Sequence, residues 1–237
     1  MFLNPYVSTN NDQFKFTRQQ ASHFAKGVAG DFNPIHDEDN KRFCVPGDLL
    51  FAVLLQKEGI SQKMRFDFSG MVSDGIPLSI VEKCDRESSL TDGNGKEYLH
   101  MTREGDVTYN PEFIQHLVTN YVQFSGMNFP HILVPLMQDK QVMINCQRPL
   151  VIYECMQVEF DTLDVQKPEI DFVGASFDVE GKRGVVTLNF AFSENGQMVG
   201  KGFKRLVTSG LKPYDTASVD NLVTRFNQLK ANYAQLV

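Results

Sequence analysis

The chain has 237 residues and a formal net charge of −6, a length that suits one large domain or two modules of about 100 residues each. The acidic balance argues against nucleic acid or an anionic membrane as the main partner. No apolar run approaches the ~20 residues that cross a bilayer, and the N-terminus lacks a basic segment followed by an apolar stretch. We therefore expect no membrane segment, no signal peptide and a cytoplasmic location.

The first half begins with a predicted helix over residues 17–29, because Thr17 and Gln20 form a capping-box pair and Gly30 ends the apolar periodicity. A polar loop follows. Residues 48–55 are apolar nearly all round and predict a buried helix that starts near Gly47 or Asp48, with Asp48 as its cap. Alternating segments separated by glycine-containing turns then predict strands over residues 64–68, 78–84 and 98–101.

The second half repeats this plan. Asn110 followed by proline predicts the start of a helix that Gly126 ends, and a short apolar piece over residues 131–137 follows it. Long strands are predicted over 142–147, 150–163, 170–179, 184–192 and 198–207, and a helical tail over 218–237. Gly30 and Gly126 are 96 residues apart, and the shared element order favours an internal duplication.

The four cysteines are scattered: none forms a CxxC pair, and none lies at a zinc-like spacing from histidine. We expect buried free thiols in a reducing compartment, with no structural metal. Lys204 lies on a predicted strand near Lys201 and Arg205; we expect these charges on the surface, with contact to coenzyme A phosphates as the alternative. The 19 phenylalanines suit either a packed core or an apolar tunnel.

The loop after the first helix carries the densest functional signal. Asp31, Asn33 and His36 place a carboxylate, an amide and an imidazole within six residues. A carboxylate and an imidazole that converge can act together on one water molecule, one accepting a proton while the other donates or orients. The alternative is structural: Asp31 and Asn33 form turns beside Pro34.

Residues 24–37, with the letters FAKGVAGDFNPIHD, closely resemble the signature of MaoC-like (R)-specific enoyl-CoA hydratases. The resemblance implies a hotdog fold, a curved antiparallel sheet wrapped around a long central helix. It further implies that Asp31 and His36 form a catalytic dyad, and that a glycine N–H opening the central helix binds the thioester carbonyl. Gly47 best matches that glycine, although aligning the motif with residues 51–52 is an alternative.

The sequence departs from the family pattern in three places. Ala29 replaces a serine, Pro46 replaces the histidine before the glycine, and only 11 residues separate His36 from Gly47, fewer than is usual. Proline leaves the Gly47 N–H free, so the carbonyl site survives the change. In the second half Met127 stands at the position of Asp31, so no proton transfer is expected there.

We therefore predict an α+β double hotdog, with residues 1–106 as the module that carries the hydratase-like motif and residues 107–237 as a degenerate module plus a C-terminal helix.

The expected function is hydration or dehydration of an acyl thioester such as a trans-2-enoyl-CoA. The predicted catalytic residues are Asp31 and His36, and the predicted substrate-binding residues are Asn33 and Gly47. Coenzyme A enters only as part of the substrate, and no other cofactor is expected. The alternatives are a hotdog thioesterase and a non-catalytic acyl-binding protein, in each case as a monomeric pseudo-dimer or a homodimer.

Overall fold

The computed structural model describes residues 2–10, 12–146 and 150–235. It contains one large antiparallel sheet, a small two-stranded sheet and five α-helices. The strands are β1 (Ser8–Asn10), β2 (Gln13–Lys15), β3 (Ile60–Phe68), β4 (Leu78–Cys84), β5 (Glu87–Asp92), β6 (Glu97–Thr108), β7 (Val142–Met143), β8 (Val151–Phe160), β9 (Glu169–Glu180), β10 (Arg183–Glu194), β11 (Gln197–Ser209) and β12 (Lys212–Pro213). The helices are α1 (Arg18–His23), α2 (Gly47–Glu58), α3 (Pro111–Gly126), α4 (Val134–Asp139) and α5 (Thr216–Ala234).

The ten strands of the large sheet lie in the order β1-β2-β4-β5-β6-β3-β8-β11-β10-β9. The two halves of the sheet have the same topology. In the first half β3 lies at the middle of the sheet and β6, the third strand after it, pairs with it; in the second half β8 and β11 are arranged in the same way. The middle strands β3 and β8 pair antiparallel, which joins the two groups into one sheet. This repeated topology is a double hotdog, so the predicted fold class is confirmed. The predicted module boundary at residue 106 falls within β6 and stays a prediction.

Helix α2 is buried on every side because it lies between the sheet and α3. Phe51 shows this arrangement: its ring packs at 5.0 Å against Phe66 of β3 and at 5.0 Å against Tyr121 of α3. A helix between two apolar layers needs no polar face, which explains the uniform apolar run in the sequence. Its predicted start is confirmed, since α2 begins at Gly47, and Gly59 caps its end with a positive φ of 78°.

The second half differs from its predicted plan. Asn110 caps α3 and Gly126 ends it as expected, but the next helix, α4, has only six residues. It packs with a smaller core of its own, formed by Leu133, Met137, Ile144, Phe177, Val186, Leu188, Leu211 and Val219. The strand predicted over 142–147 is present only as β7. Residues 147–149, which include the last residue of that predicted strand, lie outside the described residues.

Helix α5 packs on the outside of both halves of the chain. Phe226 packs against Phe32 at 5.7 Å and against Phe129 at 5.8 Å, while Tyr233 packs against Phe32 at 6.0 Å. The helical tail predicted over 218–237 is confirmed for residues 218–234; the helix begins two residues earlier, at Thr216, and residues 236–237 lie outside the described residues.

The cysteines are all free, as expected, but Cys84 is exposed rather than buried. It lies at the end of β4, beyond the apolar part of that strand.

Candidate active site

The loop that carries Asp31 is fixed at its start by the end of the first helix. Helix α1 continues as a π-helical turn over Phe24–Ala29, and Gly30 ends it in the left-handed region with a φ of 67°. The Asp31 N–H then donates to the Ala25 carbonyl at 2.8 Å. Glycine adopts the left-handed backbone conformation without the steric cost that a side chain would add, so Gly30 sets the direction in which the loop leaves the helix.

Within the loop, side chains hold the backbone in tight turns. Asp31 Oδ1 accepts the Asn33 N–H at 2.8 Å, and Asn33 Oδ1 accepts the Ile35 N–H at 3.2 Å. The second contact caps the short 3₁₀ turn Pro34–His36. The predicted turn-forming role of these residues is therefore present, and the turns also aim Asp31 and His36 toward each other.

The structure brings Asp31 and His36 together. His36 Nδ1 donates to the Cys44 carbonyl at 2.7 Å, and His36 Nε2 lies 3.6 Å from Asp31 Oδ2. Because a carbonyl oxygen can only accept, Nδ1 carries the proton and Nε2 of a neutral ring is left as a base that faces the carboxylate. The side chains of His36 and Asp31 are 11% and 27% exposed, so the pair is partly accessible to water.

Arg18 of α1 holds the rest of the loop from outside. Its guanidinium donates to the carbonyls of Glu38 and Asn40, both at 2.9 Å, and its Nε donates to Asp74 Oδ1 at 3.1 Å. The same group lies 5.0 Å from the centroid of the Phe43 ring. One planar group therefore joins the helix, the loop and the turn before β4.

Gly47 opens α2, as predicted. The Pro46 carbonyl accepts the Leu49 N–H at 3.0 Å, and the Gly47 N–H has no hydrogen-bond partner among the described residues. The space beside the Gly47 Cα is filled: an added Cβ would lie 3.0 Å from the Phe68 ring and 3.2 Å from the Tyr153 ring. A free N–H at a helix start is a suitable donor to a carbonyl oxygen.

A buried polar network that the sequence did not predict lies next to Gly47. Asp48 Oδ2 accepts from the Ser125 hydroxyl at 2.5 Å, and Lys204 Nζ donates to the same hydroxyl oxygen. The residues Asp48, Ser125 and Lys204 are only 7%, 9% and 4% exposed, and they come from α2, α3 and β11. Lys204 Nζ also lies 4.1 Å from the centroid of the Tyr153 ring.

Burial shifts the ionisation of this network. It raises the pKa of Asp48, an effect opposed first by the Lys204 charge and then by the Ser125 hydrogen bond. It lowers the pKa of Lys204, an effect opposed by Asp48 and then by Asp31. The Asp31 carboxylate thus acts on both groups, so the network lies within electrostatic range of the dyad.

Two expectations about these residues are corrected by the structure. Lys204 is not a surface charge, because its side chain points from β11 into the space between α3 and the Tyr153 ring. Asp48 does not cap α2; Pro46 holds the cap position, and the Asp48 carboxylate binds Ser125 instead. No local feature of the sequence indicates either role: Lys201 and Lys204 lie on the same strand, yet Lys201 is exposed and Lys204 is buried.

Two surface clefts in the described part of the chain are lined by residues other than Asp31 and His36. One has a volume of about 540 Å³ and is lined by residues that include Asp164, Lys167 and Glu194. The other has about 250 Å³ and lies beside Asp178 and Arg183. Much of the aromatic content packs ring against ring in the core, as in the contact of Phe160 with Phe192 at 4.7 Å.

Among the described residues, no three histidine, cysteine, aspartate or glutamate side chains gather closely enough to bind a metal ion. The same residues include no helix with both the length and the apolar character needed to cross a membrane.

Residues 1–217 match the protein family described as "Protein of unknown function (DUF3581)". Among curated proteins, no match was found.

Several solved structures are similar in fold. A conserved hot dog fold protein from Alicyclobacillus acidocaldarius is 11% identical with a TM-score of 0.47, covering 90% of this chain and 99% of its own. Full-length peroxisomal multifunctional enzyme type 2 from Drosophila melanogaster is 10% identical with a TM-score of 0.45; the match covers 82% of this chain but about half, 48%, of that enzyme. A MaoC-like dehydratase is 9% identical with a TM-score of 0.43, covering 86% of this chain and 98% of its own. Such distant similarities do not assign an activity.

Proposed function

We propose a function for this chain, which belongs to the protein family described as "Protein of unknown function (DUF3581)": hydration or dehydration of an acyl thioester, with a trans-2-enoyl-CoA as the expected substrate. One observation carries the proposal. His36 Nε2 faces Asp31 Oδ2 at 3.6 Å while Nδ1 is tied to the Cys44 carbonyl. The imidazole base and the carboxylate are therefore close enough to contact the same water molecule, which is what activation of that water requires.

The proposed chemistry moves one proton through His36. Nε2 accepts a proton from water held by Asp31, and the water oxygen forms a bond to C3 of the enoyl group. The electron pair of the double bond shifts toward C2 and the thioester carbonyl. His36 then returns the proton to C2, which completes addition of water. Dehydration is the same sequence in reverse, and Asp31 stabilises the imidazolium formed between the two steps.

The remaining predicted residues have supporting roles in this proposal. The free Gly47 N–H donates to the thioester carbonyl oxygen, where negative charge grows during addition. Asn33 keeps the loop in place through its contact with the Ile35 N–H. Coenzyme A is the carrier of the acyl group, and the proposed reaction uses no other cofactor.

A non-catalytic acyl-binding function is the second candidate, and two departures from the hydratase pattern favour it: Pro46 replaces the histidine before the glycine, and Gly47 comes only 11 positions after His36. A protein that retains acyl-CoA without converting it would need the fold and the polar loop but no reactive water.

The test is consumption of crotonyl-CoA, followed by loss of enoyl absorbance. We expect wild type to consume it, and Asp31→Asn and His36→Gln to be slower by at least about 100-fold, because each removes one partner of the proton transfer. Asp37→Asn is the matched control: Asp37 lies next to His36 but pairs with Lys26 at 2.9 Å, so its turnover should stay near wild type.

Three outcomes are informative. Equal turnover in wild type and both dyad variants contradicts the proposal. Release of free thiol, detected with a thiol reagent, indicates a thioesterase. Retention of crotonyl-CoA without turnover, with Asp31→Asn binding as well as wild type, supports the non-catalytic candidate.

A further inference from the structure

We propose that Ser125 and Lys204, both from the second half of the chain, are positioning residues of the Asp31–His36 site: through Asp48 they fix the start of α2 relative to the dyad loop. The inference rests on the proposed function and extends it to a part of the protein that carries no dyad of its own. It assigns a use to a buried charged network that the fold alone does not require.

The dipeptide Ser125–Gly126 at the end of α3 touches both functional parts of the first module. The Ser125 hydroxyl donates to Asp48, which directly follows the Gly47 amide in α2. The next residue, Gly126, lies against the dyad loop, since an added Cβ there would overlap the Ala29 carbonyl and lie 3.0 Å from the Asp31 nitrogen. The end of one helix therefore sets the distance between the proposed carbonyl-binding amide and Asp31.

Lys204 completes this unit from the sheet. Its Nζ donates to the Ser125 hydroxyl and lies over the Tyr153 ring. The same ring lies against Gly47, the first residue of α2, because a Cβ added there would be 3.2 Å from it. The lysine therefore orients the hydroxyl, which then donates to Asp48 rather than accepting from it. Without the lysine, only the hydrogen bond to Asp48 orients the hydroxyl, and Asp48 loses the Lys204 charge that opposes its desolvation.

Stability alone gives little reason to keep such a network. Buried ion pairs are often replaced by apolar residues of similar size without loss of stability, whereas removal of one partner leaves an unpaired buried charge. Here Asp48 Oδ1 is already buried, with no hydrogen-bond partner in the part of the chain that the structure describes. Retaining a charge under these conditions is expected where its position or its field is used elsewhere in the molecule.

Several titratable groups lie around the Asp48–Lys204 pair, and two of the groups that act on this pair belong to the dyad loop. Asp48 lies on α2, Tyr121 on α3 and Tyr153 on β8; burial raises the pKa of both tyrosines, so they stay neutral around pH 7. Asp31 raises the pKa of Asp48 as well as that of Lys204, and His36 lowers that of Asp48. The coupling is reciprocal, so the network and the dyad act on each other.

The first experiment distinguishes a role of the network in positioning the site from a role in the stability of the fold. The double variant Asp48→Asn/Lys204→Met removes both charges together, so no unpaired charge is left and the protein should remain folded. We expect kcat for crotonyl-CoA to fall at least about 10-fold while KM changes by less than about threefold, because a small displacement affects the transition state more than ground-state binding. The matched control is Arg65→Met/Asp67→Asn, which removes a half-exposed ion pair on β3 and should keep wild-type kcat.

Single variants of Ser125 add a conservative comparison. Ser125→Ala removes the hydroxyl and should lower kcat like the double variant, whereas Ser125→Thr keeps the hydroxyl and should recover at least half of wild-type kcat. Wild-type kcat in both the folded double variant and Ser125→Ala overturns the inference. If the double variant does not fold, Ser125→Ala and the titration that follows decide the question.

The second experiment needs no turnover, so it distinguishes failure of this inference from failure of the proposed function. Carbon NMR of labelled protein follows the Asp48 carboxyl and the Lys204 side chain in wild type and in Asp31→Asn. Removal of the Asp31 charge should lower the pKa of both groups, since Asp31 raises both. A protein that consumes no crotonyl-CoA but shows both shifts retains the coupling while the hydratase proposal fails. Unchanged titration of both groups in Asp31→Asn overturns the inference whatever the activity.

Discussion

Gly126 and Asp31 meet backbone to backbone, although they lie in different halves of the chain. Gly126 ends α3, and a Cβ added to it would lie 3.0 Å from the Asp31 nitrogen and overlap the Ala29 carbonyl. The residues on either side of Gly30, which ends the equivalent helix of the first half, thus lie against Gly126. The dyad loop rests on the second half of the protein rather than on its own module alone.

Gly126→Ala tests this contact. The new methyl group cannot fit without moving the backbone of residues 29–31, so we expect a loss of about 1–3 kcal/mol in the free energy of unfolding and a strong loss of crotonyl-CoA turnover. Urea unfolding and the turnover assay measure the two effects. Gly174→Ala is the control, because an added Cβ there meets no atom within 4 Å and its φ is not positive. Equal effects of both substitutions would contradict the assigned contact.

Arg18→Met tests whether the guanidinium holds the loop between the dyad and α2. It removes two contacts to backbone carbonyls, at Glu38 and Asn40, and the half-exposed pair with Asp74. We expect a loss of about 1–2 kcal/mol, discounted for exposure, and faster amide hydrogen exchange over residues 38–44.

Lys41→Met serves as the control for Arg18→Met, since Lys41 is an exposed cation in the same loop. Hydrogen exchange over residues 38–44 that stays as slow in Arg18→Met as in Lys41→Met would show that Arg18 does not hold the loop.

Cys44 should make stability depend on pH in the alkaline range. Burial raises the pKa of its thiol from 9.0 to about 11. The folded thiol therefore keeps its proton between pH 9 and 11, where the unfolded thiol loses it, so the free energy of unfolding falls as pH rises through this window. The loss amounts to roughly 2–3 kcal/mol.

Urea unfolding of wild type and Cys44→Ala at pH 8.5 and 10.5 measures this contribution. Other groups titrate equally in both proteins, so wild type should lose more stability than the variant between the two pH values. Parallel losses in the two proteins would show that the Cys44 thiol is not protected by burial.

Phe226→Ala tests how α5 is attached. Phe226 is one of two buried residues of this helix and contacts Phe32 and Phe129. Truncation should weaken docking of α5 by about 3 kcal/mol and speed hydrogen exchange across residues 216–234, while the large sheet stays protected. Asn227→Ala changes the exposed neighbour and should leave exchange near wild type. Slow exchange of α5 in Phe226→Ala would mean that other contacts hold the helix.

Local signals in the sequence determined the helices and the dyad loop. Thr17 and Gln20 form the expected capping box, Asn110 caps α3, and Gly30 and Gly59 end their helices with positive φ. Each of these features depends on residues within four positions of one another, so a short stretch of sequence contains all the necessary information. The motif that placed Asp31 near His36 is similarly short.

Strand β5 was missed because its polarity resembles a turn. Ser88 and Ser89 lie fully buried in it, and their hydroxyls donate to Glu58 and Glu97 at 3.1 and 2.6 Å. Those carboxylates come from α2 and β6, so the partners that make a buried serine acceptable are invisible in the local sequence.

Only the tertiary structure decided which charges are buried. Asp48, Ser125 and Lys204 are separated by more than 75 residues at each step, and pairing of β3 with β8 and packing of α2 on α3 bring them together. A lysine is normally solvated, and nothing next to Lys204 in the chain distinguishes it from its exposed neighbour Lys201. Local backbone preferences fix caps and turns, whereas the environment of a side chain depends on every element that packs around it.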